Sequence, residues 1–176
     1  MKCIVLTDIN RLPSRETCFL SGLRGSISVE RVGLGELLGV PQRDEELYRS
    51  LVQGGFDAAA AKVVERFGDA EIGLGYSSGG AVLWKSVLHG LCLKRLACIS
   101  STRLRDEDPH AMTIPALTVF GDQDASRPTT SWGEGSRLDR LLLRGAGHSF
   151  YAEKDANWVT CREAVLNFLR PCDVEV

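Results

Sequence analysis

Short runs of apolar residues recur along the chain, and they constrain its fold more than any other feature of the sequence. Most are rich in Leu, Ile, Val and Ala, which is typical of strands buried on both faces of a parallel sheet. The second run alternates apolar and polar residues, which indicates a strand nearer the edge. The predicted strands are residues 2–7, 26–31, 70–75, 95–100, 115–120 and 138–143.

Segments with helical character separate most of these strands. The predicted helices are residues 15–24, 42–52, 56–67, 78–90 and 152–169, whereas residues 101–113 are polar and irregular. Alternating strands and helices predict an α/β fold with helices on both faces of a mostly parallel, six-stranded sheet. With 176 residues and no internal repeat or linker, we expect a single domain over residues 1–176.

Charge and hydropathy argue against two classes of partner. The net charge is −2 and no dense basic run occurs, so we expect no nucleic-acid partner. No apolar run approaches the ~20 residues that span a bilayer, so we expect no membrane partner. Asp8 interrupts the N-terminal apolar run, which we therefore interpret as the first strand of a cytoplasmic protein and not as a signal peptide.

The six cysteines indicate neither a metal site nor a disulfide framework. They form no CxxC pair and no Cys/His cluster with the spacing of zinc ligands. We interpret Cys3, Cys92, Cys98 and Cys161 as buried, reduced thiols that behave as small apolar residues.

The stretch Gly75-Tyr76-Ser77-Ser78-Gly79 has the spacing GxSxG between a predicted strand and a predicted helix. In that context the middle serine, Ser77, lies on a sharp turn that projects its hydroxyl beyond the carboxyl edge of the sheet. The glycines two residues before and after it avoid a collision across the turn. Ser77 is the candidate nucleophile, and the backbone N–H of Ser78 is a candidate donor to an oxyanion.

A serine nucleophile needs a general base and an acid that orients the base. Of the three histidines, His148 follows the last strand in a loop that returns to the carboxyl edge, so it is the candidate base. The segment VFGDQD follows the fifth strand and offers Asp124 and Asp122 as candidate acids. Asp124 lies further into the loop and is the better placed, whereas Asp122 suits a turn.

These motifs resemble those of the α/β-hydrolase superfamily over nearly the whole chain. The resemblance rests on GYSSG after a strand, VFGDQD before Pro128, and GAGH near the end. It implies a three-layer α/β/α sandwich with strand order 2-1-3-4-5-6 and the triad Ser77, Asp124 and His148. Only residues 101–113 are available where many members insert a cap domain, so it also implies a minimal version without a cap.

The residues after the first strand suggest a branch of that superfamily. Many members have His-Gly there, whereas this chain has Thr7-Asp8-Ile9-Asn10. This is similar to the dienelactone hydrolase-like branch, in which an acidic residue and an isoleucine follow the strand. The similarity implies that Ile9 supplies the second oxyanion N–H, with Asn10 as the near alternative. Those hydrolases have a cysteine nucleophile where this chain has Ser77.

The resemblance implies a serine hydrolase that cleaves small or short-chain carboxylic esters or thioesters through an acyl-enzyme. Such a reaction has a small-molecule substrate and needs no metal or organic cofactor. Lactone hydrolysis of the dienelactone type and acyl transfer would use the same triad. A ligand-binding protein on a hydrolase scaffold is the non-enzyme alternative.

Five residues near the motifs are candidates for substrate binding. Arg11 and Arg103 could bind a carboxylate, although solvated loop arginines are the simpler interpretation. Tyr76 and Phe150 could line an acyl pocket or pack beneath the turn. Asn10 follows the candidate oxyanion donor.

Overall fold

The structure is built on one six-stranded sheet in which every neighbouring pair of strands is parallel. A computed structural model describes residues 1–22, 27–40 and 44–170. The strands are β1 Lys2–Leu6, β2 Ser28–Val32, β3 Ile72–Tyr76, β4 Arg95–Ile99, β5 Ala116–Gly121 and β6 Leu138–Leu143. Their order is β2-β1-β3-β4-β5-β6, which confirms the predicted topology. The carboxyl ends of all six strands therefore lie along one edge.

Helices cover both faces of this sheet, as the alternating sequence predicts. They are α1 Leu34–Leu38, α2 Asp44–Ser50, α3 Phe56–Arg66, α4 Ser78–Leu88 and α5 Ala156–Leu169, and a π-helical turn, Leu51–Gly55, joins α2 to α3. The segment after β4 contains only two short 3-10 turns, Leu104–Asp106 and Pro109–Ala111.

Alternation along the strands divides the core into two clusters. In β1, Ile4 and Leu6 pack with α1, α3 and α4, whereas Cys3 and Val5 point to the opposite face. That second face is covered by α5 and by residues 18–20. The result is the three-layer sandwich that the sequence predicts.

Residues 15–22 form a series of turns, so the prediction of a helix over 15–24 was wrong in the described part. Ser14 Oγ accepts hydrogen bonds from the N–H groups of Glu16 and Thr17, each at 3.2 Å. The Thr17 carbonyl accepts from Trp158 Nε1 at 2.8 Å, which a continuing helix would have used internally. Local side-chain bonds and a tertiary contact thus replace the helical bonds. Residues 23 and 24 lie outside the described residues.

Other differences concern the ends of elements. Helix α1 was not predicted, because the glycines at 33, 35 and 39 lower helical propensity; Leu34 and Leu37 compensate by entering the core. Residues 42 and 43, at the predicted start of α2, lie outside the described residues. Helix α5 begins at Ala156 and not at 152, since the Asp155 side chain caps it by accepting from Trp158 N–H at 2.8 Å.

The cysteine prediction is correct for three residues and wrong for one. Cys3, Cys98 and Cys161 are buried free thiols, whereas Cys92 is exposed. Burial raises the pKa of Cys3 and of Cys98 to about 12, so these thiols carry no charge at neutral pH. Among the described residues, no helix has the length and apolarity to cross a bilayer.

Candidate active site

Ser77 lies on a strained turn between β3 and α4. Its backbone has φ 48° and ψ −122°, a conformation that non-glycine residues rarely adopt. The Ser77 N–H donates to the Ile99 carbonyl at 2.8 Å, which continues the pairing of β3 with β4 up to the turn. Strain of this kind persists only where the surroundings enforce it, and it presents the Ser77 side chain at the carboxyl edge of the sheet.

The glycines of the motif allow three segments of backbone to meet at this turn. A Cβ on Gly75 would collide with the backbone of Gly80, so the strand and the helix could not close on each other. A Cβ on Gly79 would lie 2.5 Å from the Thr7 carbonyl oxygen, at the end of β1. The spacing GxSxG is therefore a steric requirement of this turn.

Ser77, His148 and Asp124 form a continuous hydrogen-bonded row. Ser77 Oγ lies 3.0 Å from His148 Nε2, and His148 Nδ1 lies 2.9 Å from Asp124 Oδ2. The Asp124 side chain is 1% exposed and that of His148 is 34% exposed. The row thus begins at the buried carboxylate of Asp124 and leads to the imidazole of His148, which is exposed enough to contact a bound molecule.

The loops that carry Asp124 and His148 are held against each other by their backbones. A Cβ on Gly121 would collide with the Ala146 carbonyl, to which Gln123 N–H also donates at 3.0 Å. Asp122 Oδ1 accepts from Gly145 N–H at 2.8 Å. Asp122, the alternative acid, therefore joins the two loops, whereas Asp124 contacts the imidazole.

Asp124 remains ionised because hydrogen bonds outweigh its burial. Burial alone would raise its pKa, but the bonds from His148 and from Ser126 N–H, at 2.8 Å, hold the pKa below the ordinary value. An ionised Asp124 favours the tautomer in which His148 Nδ1 carries the proton and Nε2 faces Ser77 without one.

The predicted oxyanion donors belong to two segments beside Ser77. Ser78 is the first residue of α4, and the first N–H groups of a helix have no partner within it. Ile9 is partly buried against the core cluster that includes residues of α4, and Asn10 is exposed. Both follow β1, whose end touches Gly79.

Asp8 and Tyr151 form a hydrogen-bonded pair, and the Tyr151 ring lies beside His148. Asp8 is 3% exposed and accepts hydrogen bonds from Leu12 N–H at 2.6 Å and from the Tyr151 hydroxyl at 3.0 Å. Burial is the main cause that raises the pKa of Asp8, against the lowering effect of these bonds. The Tyr151 ring meets the His148 ring edge-on, with 6.3 Å between centroids.

Thr102 is a neighbour of Ser77 that sequence reasoning missed. Its Oγ1 lies 2.7 Å from Ser77 Oγ, closer than the imidazole nitrogen. The available signal was topological, because Thr102 follows β4 and β4 pairs with β3 at Ile99 and Tyr76. For Tyr151 the sequence offered only its position three residues beyond His148, because its bond to Asp8 joins residues 143 positions apart.

The candidates for substrate binding occupy different environments. Tyr76 is fully buried, and its hydroxyl accepts from Phe19 N–H at 3.1 Å, which favours the packing interpretation. Phe150 is also buried, edge-on to Tyr151. Arg11 is exposed, and Arg103 lies 3.3 Å from Asp106.

The other two histidines lie away from this row. His89 caps the end of α4 and lies 3.8 Å from Asp57. His110 belongs to the 3-10 turn at Pro109–Ala111. In the described ranges, no group of three His, Cys, Asp or Glu residues could hold a metal ion.

Comparison of the structure with solved structures identifies the fold. The chain is similar to a dienelactone hydrolase-like promiscuous phosphotriesterase, P91, from metagenomic libraries, with TM-score 0.69 and 12% identity over 94% of this chain and 83% of that one. It is also similar to the thioesterase RedJ of the prodiginine pathway in Streptomyces coelicolor, with TM-score 0.65 and 13% identity over 96% of this chain and 90% of that one. A third similar structure is Est1E from Butyrivibrio proteoclasticus, with TM-score 0.58, 14% identity, and 95% and 86% of the two chains covered.

These similarities show that the chain has the α/β-hydrolase fold, as its motifs predict. No protein-family model matches the sequence, and no curated protein matches it either.

Proposed function

We propose that this protein is a serine hydrolase that cleaves small or short-chain carboxylic esters or thioesters. The observation that carries the proposal is the row from Ser77 Oγ to His148 Nε2 at 3.0 Å and from His148 Nδ1 to Asp124 Oδ2 at 2.9 Å. A hydroxyl, a base and a buried orienting carboxylate at these distances satisfy the geometric requirement for nucleophilic catalysis.

In the first half of the reaction, His148 Nε2 removes the Ser77 proton as Oγ attacks the acyl carbonyl. The electron pair of the carbonyl moves onto its oxygen, which the N–H groups of Ser78 and Ile9 stabilise, with Asn10 as the alternative second donor. His148 then gives its proton to the departing alcohol or thiol. Asp124 holds the imidazole orientation and stabilises its positive charge.

In the second half, water attacks the acyl-enzyme and His148 acts again as base and then acid. All these steps use side chains and backbone of this chain, so the proposed reaction needs no added metal or organic cofactor. Lactone hydrolysis and acyl transfer would differ only in the substrate or in the group that replaces water.

The form of the site supports a small substrate. The segment 101–113 contributes two single 3-10 turns and no cap helix, and the His148 side chain is 34% exposed. An open site of this kind encloses little of a long acyl chain, so apolar burial would add little affinity for it. We therefore expect activity to decline as the acyl chain of a p-nitrophenyl ester is lengthened beyond the short members.

The proposal is tested with a fluorophosphonate probe and with p-nitrophenyl acetate. We expect the wild-type protein to be labelled at Ser77 and to hydrolyse the ester, and Ser77→Ala to lose both. Peptide mapping of the labelled protein distinguishes Ser77 from Ser78.

Ser149→Ala is the matched control, because Ser149 is exposed beside His148 and has no role in the proposed mechanism. It should retain labelling and hydrolysis. Undiminished labelling of Ser77→Ala, or a wild-type protein that neither reacts nor hydrolyses any activated ester, would refute the proposed function.

A further inference from the structure

Ser77 Oγ lies within 3.0 Å of two side-chain atoms, His148 Nε2 and Thr102 Oγ1, and counting the protons of these groups indicates the role of the second. The proposed general base is a neutral imidazole, and the contact of His148 Nδ1 with the ionised Asp124 favours a proton on Nδ1. His148 Nε2 therefore has none and must accept the single proton of the Ser77 hydroxyl. The remaining contact, 2.7 Å between Ser77 Oγ and Thr102 Oγ1, then has only one donor available, which is Thr102.

We propose that Thr102 is a further catalytic residue, whose hydroxyl donates a hydrogen bond to the nucleophilic oxygen of Ser77. This inference rests on the proposed function and adds a residue to it. The Ser77 oxygen has two lone pairs; Thr102 occupies one, and the other is free to attack the acyl carbon.

The consequence appears as the Ser77 proton leaves. As His148 Nε2 takes the proton and Oγ attacks, partial negative charge builds on Oγ in the transition state while the carbonyl electron pair moves onto the carbonyl oxygen. A hydrogen bond to a charged acceptor is stronger than one to a neutral acceptor. The Thr102 proton stays on Thr102 throughout, while the new bond forms between Oγ and the acyl carbon.

The backbone around Thr102 is held in position as a catalytic role requires. Ser100 and Arg103, on either side, have positive φ values of 43° and 71°, which are strained for these residue types. Ser100 N–H donates to the Val119 carbonyl at 2.8 Å, and Leu104 N–H donates to the Ser101 carbonyl at 3.3 Å. This tight turn brings Thr102 to the same sheet edge as Ser77.

The neighbouring serine shows how closely the turn approaches helix α4. Ser101 is fully buried, and its Oγ would collide with a Cβ on Gly80. The contact between the segment after β4 and the start of α4 therefore leaves little freedom for the Ser77–Thr102 distance to vary.

The test measures the second-order rate of fluorophosphonate labelling, which reports nucleophilic attack by Ser77 without deacylation. Thr102→Val and Thr102→Ala both remove the hydroxyl, whereas Thr102→Ser keeps it and removes only the methyl group. We expect the Val and Ala variants to react about ten to a hundred times more slowly, the range for loss of a charge-assisted hydrogen bond. The labelling rate constant of Thr102→Ser should remain within about threefold of that of the wild type.

Thr113→Val is the matched control, because Thr113 is exposed on the same segment and outside the site; it should react as the wild type does. Two results would overturn the role of the hydroxyl: Thr102→Ala at the wild-type rate, or Thr102→Ser as slow as Thr102→Val. In either case Ser77→Ala would still be unreactive, so the proposed function would survive. If the wild type itself is not labelled, the proposed function fails first.

Discussion

The Tyr151 hydroxyl donates a hydrogen bond of 3.0 Å to Oδ2 of Asp8, a residue 143 positions earlier in the chain, beside the candidate active site. Asp8 belongs to the loop after β1, which carries the candidate oxyanion donor Ile9. Tyr151 belongs to the loop that carries His148. The second Asp8 oxygen accepts from Leu12 N–H at 2.6 Å. The buried Asp8 side chain thus links the loop that carries the candidate donor Ile9 to the loop that carries His148.

Asp8 should make the protein less stable as the pH rises. Burial raises the pKa of Asp8 in the folded state above the ordinary value, near pH 4 for the unfolded chain. Between these two pKa values the unfolded chain has lost the Asp8 proton and the folded protein has kept it, so raising the pH favours unfolding. The amide of Asp8→Asn does not titrate, so the stability of this variant relative to wild type should increase as the pH rises from below the ordinary Asp pKa to above it.

Urea unfolding of both proteins across this pH range measures the effect. Asp124→Asn is the internal control of opposite sign, because the pKa of Asp124 is lowered in the folded state. Its contribution to stability is present above the ordinary pKa and is lost as the pH falls through the folded value. The free energy of unfolding of the wild type should therefore increase relative to that of Asp124→Asn as the pH rises. A difference between Asp8→Asn and wild type that does not vary with pH would contradict the assignment of the raised pKa.

Asp124→Asn should also abolish most of the hydrolysis while leaving Ser77 and His148 in place. An amide at this position no longer stabilises a positive imidazole, and it favours the wrong tautomer of His148. By analogy with other triads, kcat should fall by about a thousandfold to ten-thousandfold. Steady-state kinetics with p-nitrophenyl acetate at neutral pH measures the loss.

Asp122→Asn separates the two aspartates of the VFGDQD segment. Asp122 accepts from Gly145 N–H and does not contact the imidazole. An amide oxygen can accept the same hydrogen bond, so activity should fall by no more than a few-fold. Equal losses in Asp122→Asn and Asp124→Asn would mean that loop position, and not the carboxylate at the imidazole, limits the reaction.

The sequence predicted the sheet well because its information is local and repeated. Most strands are short apolar runs, and α/β topology restricts how such runs can be ordered. The turn at Ser77 was also accessible, since GxSxG follows from steric contacts within a few residues and with one neighbouring strand. The segment 15–22 shows the opposite case. This segment is held by a hydrogen bond from Trp158 to Thr17, which are 141 residues apart in the chain. No local sequence pattern predicts a contact between residues so far apart.

The same distinction separates the site residues. The contact between Asp124 and His148 was predictable from the sequence because each residue follows a recognisable strand in a characteristic segment. Thr102 lies in a segment without periodicity, and its approach to Ser77 depends on the strained residues Ser100 and Arg103. Asp8 was noticed for its place in the chain, but its partner Tyr151 is 143 residues away. A role that depends on a bond of this kind becomes visible only in three dimensions.

Gly79→Ala should destabilise the protein through contact with β1 and not through the active-site chemistry. The added Cβ would lie 2.5 Å from the Thr7 carbonyl oxygen and 2.6 Å from the Leu6 carbonyl oxygen, and backbone atoms cannot rotate away. The start of α4 must therefore move from the end of β1, at a cost of about 1–3 kcal/mol for an overpacked core position. Urea unfolding should show a lower midpoint with an unchanged slope.

Gly147→Ala provides the matched control, because a Cβ at this position would meet nothing within 4 Å. Its free energy of unfolding should lie within about 0.5 kcal/mol of wild type or slightly above it, since alanine restricts the unfolded chain more than glycine does. If Gly79→Ala unfolds at the wild-type midpoint, α4 and β1 can separate without cost. Gly79 would then be required only for the backbone conformation of the turn. The close contact between Thr7 and α4 would not fix the position of the loop that carries Ile9.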